Sequence, residues 1–418
     1  MTVLVVGGGG REHAICHFLK KSPKVRKLIC APGNGGIADI AECAPVKATD
    51  IEGMLALAKE KHVDFVMVAP DDPLAGGMVD AFEEAGLPAF GPRKSAAILE
   101  SSKVFSKALM QKYNIPTARY EAFDDMEKAL AYIQGKETPI VIKADGLALG
   151  KGVIIAQTTE EARAAVYEMM QDKRFGDSGS RVVIEEYMTG PEVTVLCFTD
   201  GKTIVPMPSS RDHKRVYDND EGPNTGGMGA FCPSPDYTPE VAEICMETIF
   251  LPTINAMKAE GRTFKGVLYF GLMLTPDGPR VIEYNARFGD PETQPVLSLL
   301  DTDIFDIFDA VVNEKLGDID IKWKSGAACC VVLASGGYPN QYQTGYPIEG
   351  LDSMKNDVMV FHAGTRKNNG GYFTSGGRVL GVTAVAGDLK TAVSKAYSVS
   401  GQIYFKDMQY RKDIGKGV

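Results

Sequence analysis

Apolar and polar positions follow two rhythms along this chain. Over the first hundred residues, short apolar runs (Val3 to Val6, Lys27 to Cys30, Phe65 to Ala69) alternate with segments of helical period (Arg11 to Lys20, Ile51 to Lys61, Leu74 to Glu84). That succession of βαβ units predicts a parallel sheet. The runs lead into the loops GGGGREHA, APGNGG and APDDPL, at the carboxyl ends of the strands, where parallel sheets bind ligands.

From Ser101 the texture changes. Ser101, Ser102 and Lys103 open a helix that ends near Asn114, and Ile115-Pro116 breaks it before a new strand. Pro139 to Val153 (PIVIKADGLALGKGV) reads as strand, glycine-rich loop, strand. Lys143 ends the apolar run, and Gly146, Gly150, Lys151 and Gly152 form a loop able to close over phosphates. It is not a Walker A loop, because Gly152 stands where Ser or Thr is required. A plain surface hairpin fits the same pattern. Arg181 to Phe198 reads as two strands joined at Met188 to Pro191. Glu185, the backbone of Tyr187 and Glu192 are placed there to read an adenine edge and ribose hydroxyls, or to be solvated acids of a hairpin. Pro206 to Phe231 has few apolar residues and many turn-formers. Such long irregular stretches in compact enzymes are functional or disordered. His213 within it reads as an orienting or solvated group rather than a general base.

Val281 to Gln294 (VIEYNARFGDPETQ) opens with period-two alternation. This puts Glu283 and Asn285 on one face of a strand, with Arg287 just beyond. A carboxylate and an amide oxygen side by side suit Mg2+, which keeps phosphates and waters as its other ligands. A polar strand edge before an Asp-Pro turn has the same pattern. After Trp323 the chain reads as strands with one helix near Leu389 to Val399.

With 418 residues the chain is long enough for two to four domains. Forty-five basic against 54 acidic residues give a formal charge of -9, so no basic footprint for nucleic acid or anionic membrane exists. Eight cysteines without a CxxC pair read as reduced core residues, and a cytoplasmic setting is expected. The opening TVLVV reads as a strand rather than a leader, and no apolar run approaches about 18 residues. The GGGG at residues 7 to 10 is not a dinucleotide fingerprint: the third glycine would fall at Glu12, and no acid closes the second strand at Cys30 or Ala31. A phosphomonoester on the helix N-terminus, or a tight turn without a ligand, remains.

Lys103, Lys143, the loop GLALGKG, the acid pair Glu185 and Glu186 before Tyr187 and the EYN strand follow in the order seen in ATP-grasp ligases. GGGGREHA, APGNGG, KADGLALGKGV, DHKR, GPNTGGMGA, ARFGDPETQ and TSGGRVLGV more specifically resemble the glycinamide ribonucleotide synthetase family, over nearly the full chain. Gly35, Asp71 and Arg211 depart from that family's usual Pro, Glu and Gln.

The resemblance implies an α/β protein with three parts. These are an N-terminal parallel-sheet domain over 1–101, an ATP-grasp core over 102–325 with a mobile lid at about 118–190, and a small α+β cap over 326–418. It implies ATP-dependent ligation of glycine to 5-phosphoribosylamine through glycyl phosphate, with Mg2+ or Mn2+ on Glu283 and Asn285. ATP would meet Lys103, Lys143, Gly146, Gly150, Lys151, Gly152, Glu185, Glu186, Tyr187 and Glu192. Arg287 would take the glycine carboxylate or its acyl phosphate, and Asp212 the glycine ammonium. Gly9, Gly10, Asn34, Asp71 and Arg378 would hold the sugar phosphate. Arg378 also reads as an exposed cation on a turn. A monomer without nucleic-acid or membrane partners is expected.

Overall fold

The computed structural model describes residues 1–147, 152–172, 179–351 and 358–417. The N-terminal βαβ rhythm folds as expected into a five-stranded all-parallel sheet, with strand Thr2–Gly7 at its centre between Lys27–Pro32 and Phe65–Val68. Val3, Val5 and their neighbours are fully buried on both faces, as parallel sheets require. The helix expected over Leu74 to Glu84 is instead two, Asp71–Gly76 and Met78–Glu84. Gly77 between them has φ +95°, a left-handed conformation that ends one helix and that glycine adopts without penalty.

Three larger sheets build most of the rest, beside a two-stranded and a three-stranded one. Strands Gly266–Thr275 and Gly278–Asn285 form an antiparallel hairpin at the edge of a four-stranded sheet, beside Glu192–Thr199 and Ile204–Pro206. A second four-stranded sheet orders Tyr120–Phe123, Val182–Glu186, Ile140–Ala144 and Val153–Ala156. It carries its own apolar core with helices Met126–Ile133 and Thr159–Val166, built on Leu130, Ile142, Val166 and Ile184. The third, C-terminal sheet centres on Ala327–Ser335 and Arg378–Ala386, covered by helix Leu389–Ser400.

Two expectations change here. Val182–Glu186 and Glu192–Thr199 are consecutive but not a hairpin: each pairs in a different sheet, so the chain crosses from one body to the other at Met188 to Pro191. The stretch Pro206 to Phe231 is less irregular than its composition indicates. Arg215–Tyr217 pairs with Glu221–Asn224, and Gly229–Cys232 adds to the C-terminal sheet against Ala327–Ser335. No described helix is long and apolar enough to cross a membrane.

Candidate active site

Strand Gly278–Asn285 delivers Glu283 opposite Gly271. A Cβ at Gly271 would stand 3.1 Å from the Glu283 Cγ, so the glycine leaves this carboxylate its space. Among the described residues Glu283 makes no hydrogen bond or ion pair, yet four cations surround it. Burial alone would raise its carboxyl, but Lys214, Lys143, Lys103 and Arg287 hold it below the usual carboxylate value. An unpartnered carboxylate ringed by cations is poised for a metal ion and the anions that come with it. Asn285 presents its Oδ1 on the same face, 3.3 Å from Arg287 Nη2. No cluster of three or more His, Cys, Asp or Glu side chains suited to a metal occurs among the described residues. A carboxylate and an amide oxygen side by side fit a divalent cation that shares its shell with phosphates.

Two lysines approach from the other side. Lys143 Nζ donates to the Ile282 carbonyl (3.0 Å) and stands 3.0 Å from Glu185. Lys103, at the start of helix Lys103–Lys112, donates to the Gly146 carbonyl (2.8 Å), and burial followed by Lys143 lowers its ammonium. The helix is capped twice: Ser102 Oγ accepts from Phe105 N–H, and Asp145 Oδ1 from Val104 N–H at 3.0 Å. Asp145 follows Ala144, the last residue of the Lys143 strand. The cap thereby ties the glycine-rich loop to the helix that carries Lys103.

A third group gathers Asp212, Lys214, Glu292 and Arg287. The Asp212 side chain is buried and accepts from His213 N–H (2.7 Å), with Lys214 at 3.7 Å. Burial, then the Glu292 carboxylate, pushes its carboxyl well up. Two buried acids so placed make an attractive seat for an ammonium ion. Arg287 is held by Glu100, 3.0 Å from its Nη2, while the other Glu100 oxygen accepts from Ala286 N–H at 2.7 Å. His213 Nδ1 lies 3.3 Å from the Gly229 carbonyl, and burial, then Arg411, lowers its basicity.

Residues 1–100, 101–293 and 328–417 match, in order, the N, ATP-grasp (A) and C domains of phosphoribosylglycinamide synthetase. The chain belongs to this family. The phosphoribosylamine–glycine ligase of Caldanaerobacter subterraneus subsp. tengcongensis is 47% identical over 417 residues, 100% of both chains. The crystal structure of the Thermotoga maritima phosphoribosylamine–glycine ligase superposes with a TM-score of 0.84 at 32% identity, covering 99% of this chain and 100% of that one. The biotin carboxylase domain of Hydrogenobacter thermophilus 2-oxoglutarate carboxylase, solved with MgADP, has a TM-score of 0.75 at 16% identity. It covers 98% of this chain and 91% of that one, a likeness of fold.

Glu283, Asn285, Arg287, Lys103, Lys143 and Asp212 converge. Others sit differently from their expected placement. Glu185 does not face an open pocket: it is buried between Lys143 and Lys107, each 3.0 Å away, because a strand-interior acid in a dry site needs counter-ions. Glu186 points to the opposite face, pairing with Arg119 and Arg280. Tyr187 and Glu192 are exposed, with Lys214 3.8 Å from Glu192. Gly146 lies at the loop entrance (φ +121°) and Gly152 at its exit, where its carbonyl accepts from Ala144 N–H. Gly150 and Lys151 lie outside the described residues.

The N-terminal loops are more self-contained than expected. Asn34 spends its whole amide on the fold: Nδ2 donates to the carbonyls of Gly8 (2.9 Å) and His362 (2.7 Å), and Oδ1 accepts from Gly36 and Ile37. The Gly9 N–H goes to Glu12, and a Cβ at Gly10 would stand 2.7 Å from Gln294. Arg378 is not a solvated turn cation. Its Nη1 donates to the carbonyls of Gly226 and Asp290, both at 2.6 Å, and Nη2 stands 3.4 Å from the Asp290 carboxylate. Asp71 opens helix Asp71–Gly76, close enough for its charge to be felt at Arg287 and Glu100.

Sequence reasoning missed Glu100, Lys107, Lys214 and Glu292. The last two lay within DHKR and DPETQ, motifs already singled out, and a charged residue in each was the available signal.

Proposed function

We propose that the chain joins glycine to 5-phosphoribosylamine in purine biosynthesis, driven by ATP and passing through glycyl phosphate. The observation that carries this reading is the convergence of Lys103, Lys143, Lys214 and Arg287 on the unpartnered Glu283 carboxylate. The glycine carboxylate oxygen attacks the γ-phosphorus of ATP, the bond to the β-phosphate oxygen breaks, and ADP leaves. The amine of 5-phosphoribosylamine then attacks the acyl carbon, phosphate departs, and the ammonium formed loses its proton.

The first step brings an anion to a polyanion, so catalysis rests on positioning and charge neutralisation. Lys103 and Lys143, with Gly146, Gly150, Lys151 and Gly152, take the triphosphate. The backbone around Glu185, Glu186 and Tyr187, with Glu192, takes adenosine. Glu283 and Asn285 would hold Mg2+ or Mn2+, which supplies positive charge against the phosphates. Arg287 orients the glycine carboxylate, and Asp212 with Glu292 holds its ammonium, leaving the nucleophilic oxygen free. The sugar phosphate enters beside the N-terminal loops, with the backbone of Gly9, Gly10 and Asn34, Asp71 and the Arg378 junction as its walls. Cytoplasmic residence as a monomer completes the reading; all eight cysteines are free thiols.

ADP release with each substrate omitted in turn tests the order. Hydroxylamine should trap glycine hydroxamate from ATP and glycine in the absence of 5-phosphoribosylamine. If no hydroxamate forms while the complete reaction turns over, the acyl phosphate step is wrong.

A further inference from the structure

Glu100 is the last residue of the N-terminal domain, in helix Lys94–Ser101, and its carboxylate is almost wholly buried. It grips two consecutive residues of the catalytic turn: Oε2 accepts from Ala286 N–H at 2.7 Å, and Oε1 stands 3.0 Å from Arg287 Nη2. The remaining contacts of Arg287 are long, 3.3 Å to the Phe288 carbonyl and 3.3 Å to Asn285 Oδ1. Its Nε–H is buried and has no acceptor among the described residues. A buried donor without a partner calls for an explanation, and on a guanidinium the rigid planar fork makes orientation the quantity at stake. Glu100 holds Nη2 and leaves the Nε–H for an acceptor that the described residues do not provide.

We propose that Glu100 is a positioning residue that sets the Arg287 guanidinium for the glycine carboxylate, so that the N-terminal domain fixes the orientation of the amino-acid substrate. The inference rests on the role proposed above for Arg287. Its rival is a cross-domain staple that serves stability alone.

A double-mutant cycle separates them. Glu100→Gln keeps an acceptor for Ala286 N–H and loses the ion pair. It should lower kcat/KM for glycine about 30-fold and leave the KM for ATP within about twofold. Arg287→Met should lower kcat/KM for glycine at least as far, and the double variant should match Arg287→Met within about threefold. The unfolding midpoint should move in opposite directions: Glu100→Gln lowers it in the wild-type background and raises it beside Arg287→Met, where an ionised Glu100 would be buried without a partner.

Glu100→Asp keeps the charge but retreats by one methylene group. It should show a smaller defect, also confined to glycine, which covers failure of the first variant to fold. Multiplicative losses in the double variant, or equal shifts in every KM, would overturn the proposal in favour of the staple. A glycine defect in Arg287→Met with none in either Glu100 variant overturns Glu100 alone. Unchanged glycine kinetics in Arg287→Met removes the Arg287 reading, and this one with it.

Discussion

Lys143 and Glu185 meet 3.0 Å apart where neither side chain shares appreciable surface with solvent, and Lys107 closes on the second Glu185 oxygen at the same distance. Burial pulls the Lys107 ammonium down to about 8 against the opposing pull of Glu185. Lys107 also donates to Thr117 Oγ1, which in turn donates to the Val281 carbonyl. The triad therefore joins helix Lys103–Lys112, strand Val182–Glu186 and strand Gly278–Asn285. Lys107→Met should destabilise the fold by about 3 kcal/mol, since removing one partner leaves buried negative charge undercompensated. Adding Glu185→Gln should recover part of that loss. Urea unfolding of the two variants measures it, and a loss below about 1 kcal/mol for Lys107→Met would count against the triad.

For Glu283 the expected effect lies in rate rather than stability. Glu283→Gln retains size and one acceptor but removes the charge that balances four cations and would hold a divalent ion. Turnover should fall by about two to three orders of magnitude at saturating ATP. The unfolding midpoint should fall only modestly, because the ionised carboxylate loses the attraction of the four cations around it but no hydrogen bond or ion pair among the described residues. ADP release and thermal unfolding on one preparation decide it; near-normal turnover would remove Glu283 from the site.

The readable parts of this molecule were those where one periodicity fixes both location and direction. Alternation over Val281 to Asn285 put Glu283 and Asn285 on one face before any partner was known. The βαβ rhythm likewise determined a parallel sheet. Glu100 escaped because its partners, Ala286 and Arg287, lie 186 and 187 positions away, and nothing local distinguishes it from another helical glutamate. Asn34 looked like a ligand contact because a glycine loop surrounds it, yet those glycines allow neighbouring backbone to come close enough to use its amide. At Gly77 helical period continues through a residue whose left-handed conformation breaks the helix. The separation of Val182–Glu186 from Glu192–Thr199 depends on which other strands are available, which spacing alone cannot express.

Acid should loosen the junction between the N- and C-terminal sheets. His13 accepts from the His362 N–H at 2.7 Å through Nδ1, a lone pair that protonation removes. Burial, then His362 and His17, pulls His13 down to about 3; burial chiefly takes His17 and His362 to about 4, against the pull of Asp39 on His362. Groups whose folded value is depressed contribute stability above their unfolded value, about 6.5, and lose it as pH falls toward the folded values. Each should contribute a slope of about 1.4 kcal/mol per pH unit below pH 6. Unfolding free energy measured between pH 7 and 5 should therefore fall, and His13→Gln should reduce the slope by one proton. A flat profile over that interval would show that these histidines titrate normally.

The C-terminal segment braces the hairpin that follows Asp212 and Lys214. Arg411 is one of the most buried side chains in the protein. It pairs with Asp413 through Nε and Nη2 (2.8 Å each), and Nη1 reaches Asp220 (2.7 Å) and the Arg215 carbonyl (3.1 Å). Asp413 in turn accepts from Asn219 N–H, and Asp218 from Lys412 N–H, both at 2.8 Å. These contacts clamp the turn between Arg215–Tyr217 and Glu221–Asn224, whose preceding residues are Asp212 and Lys214. Arg411→Ala removes five donors from a closed site and should destabilise the protein by about 3 to 5 kcal/mol. Arg411→Lys keeps the charge without the fork and should be milder. If the clamp positions Asp212, the milder variant should raise the KM for glycine several-fold at a temperature where it is fully folded, with little change for ATP. Kinetics with each substrate varied, beside an unfolding curve, separate the cases: a stability loss with unchanged KM values would make the clamp purely structural.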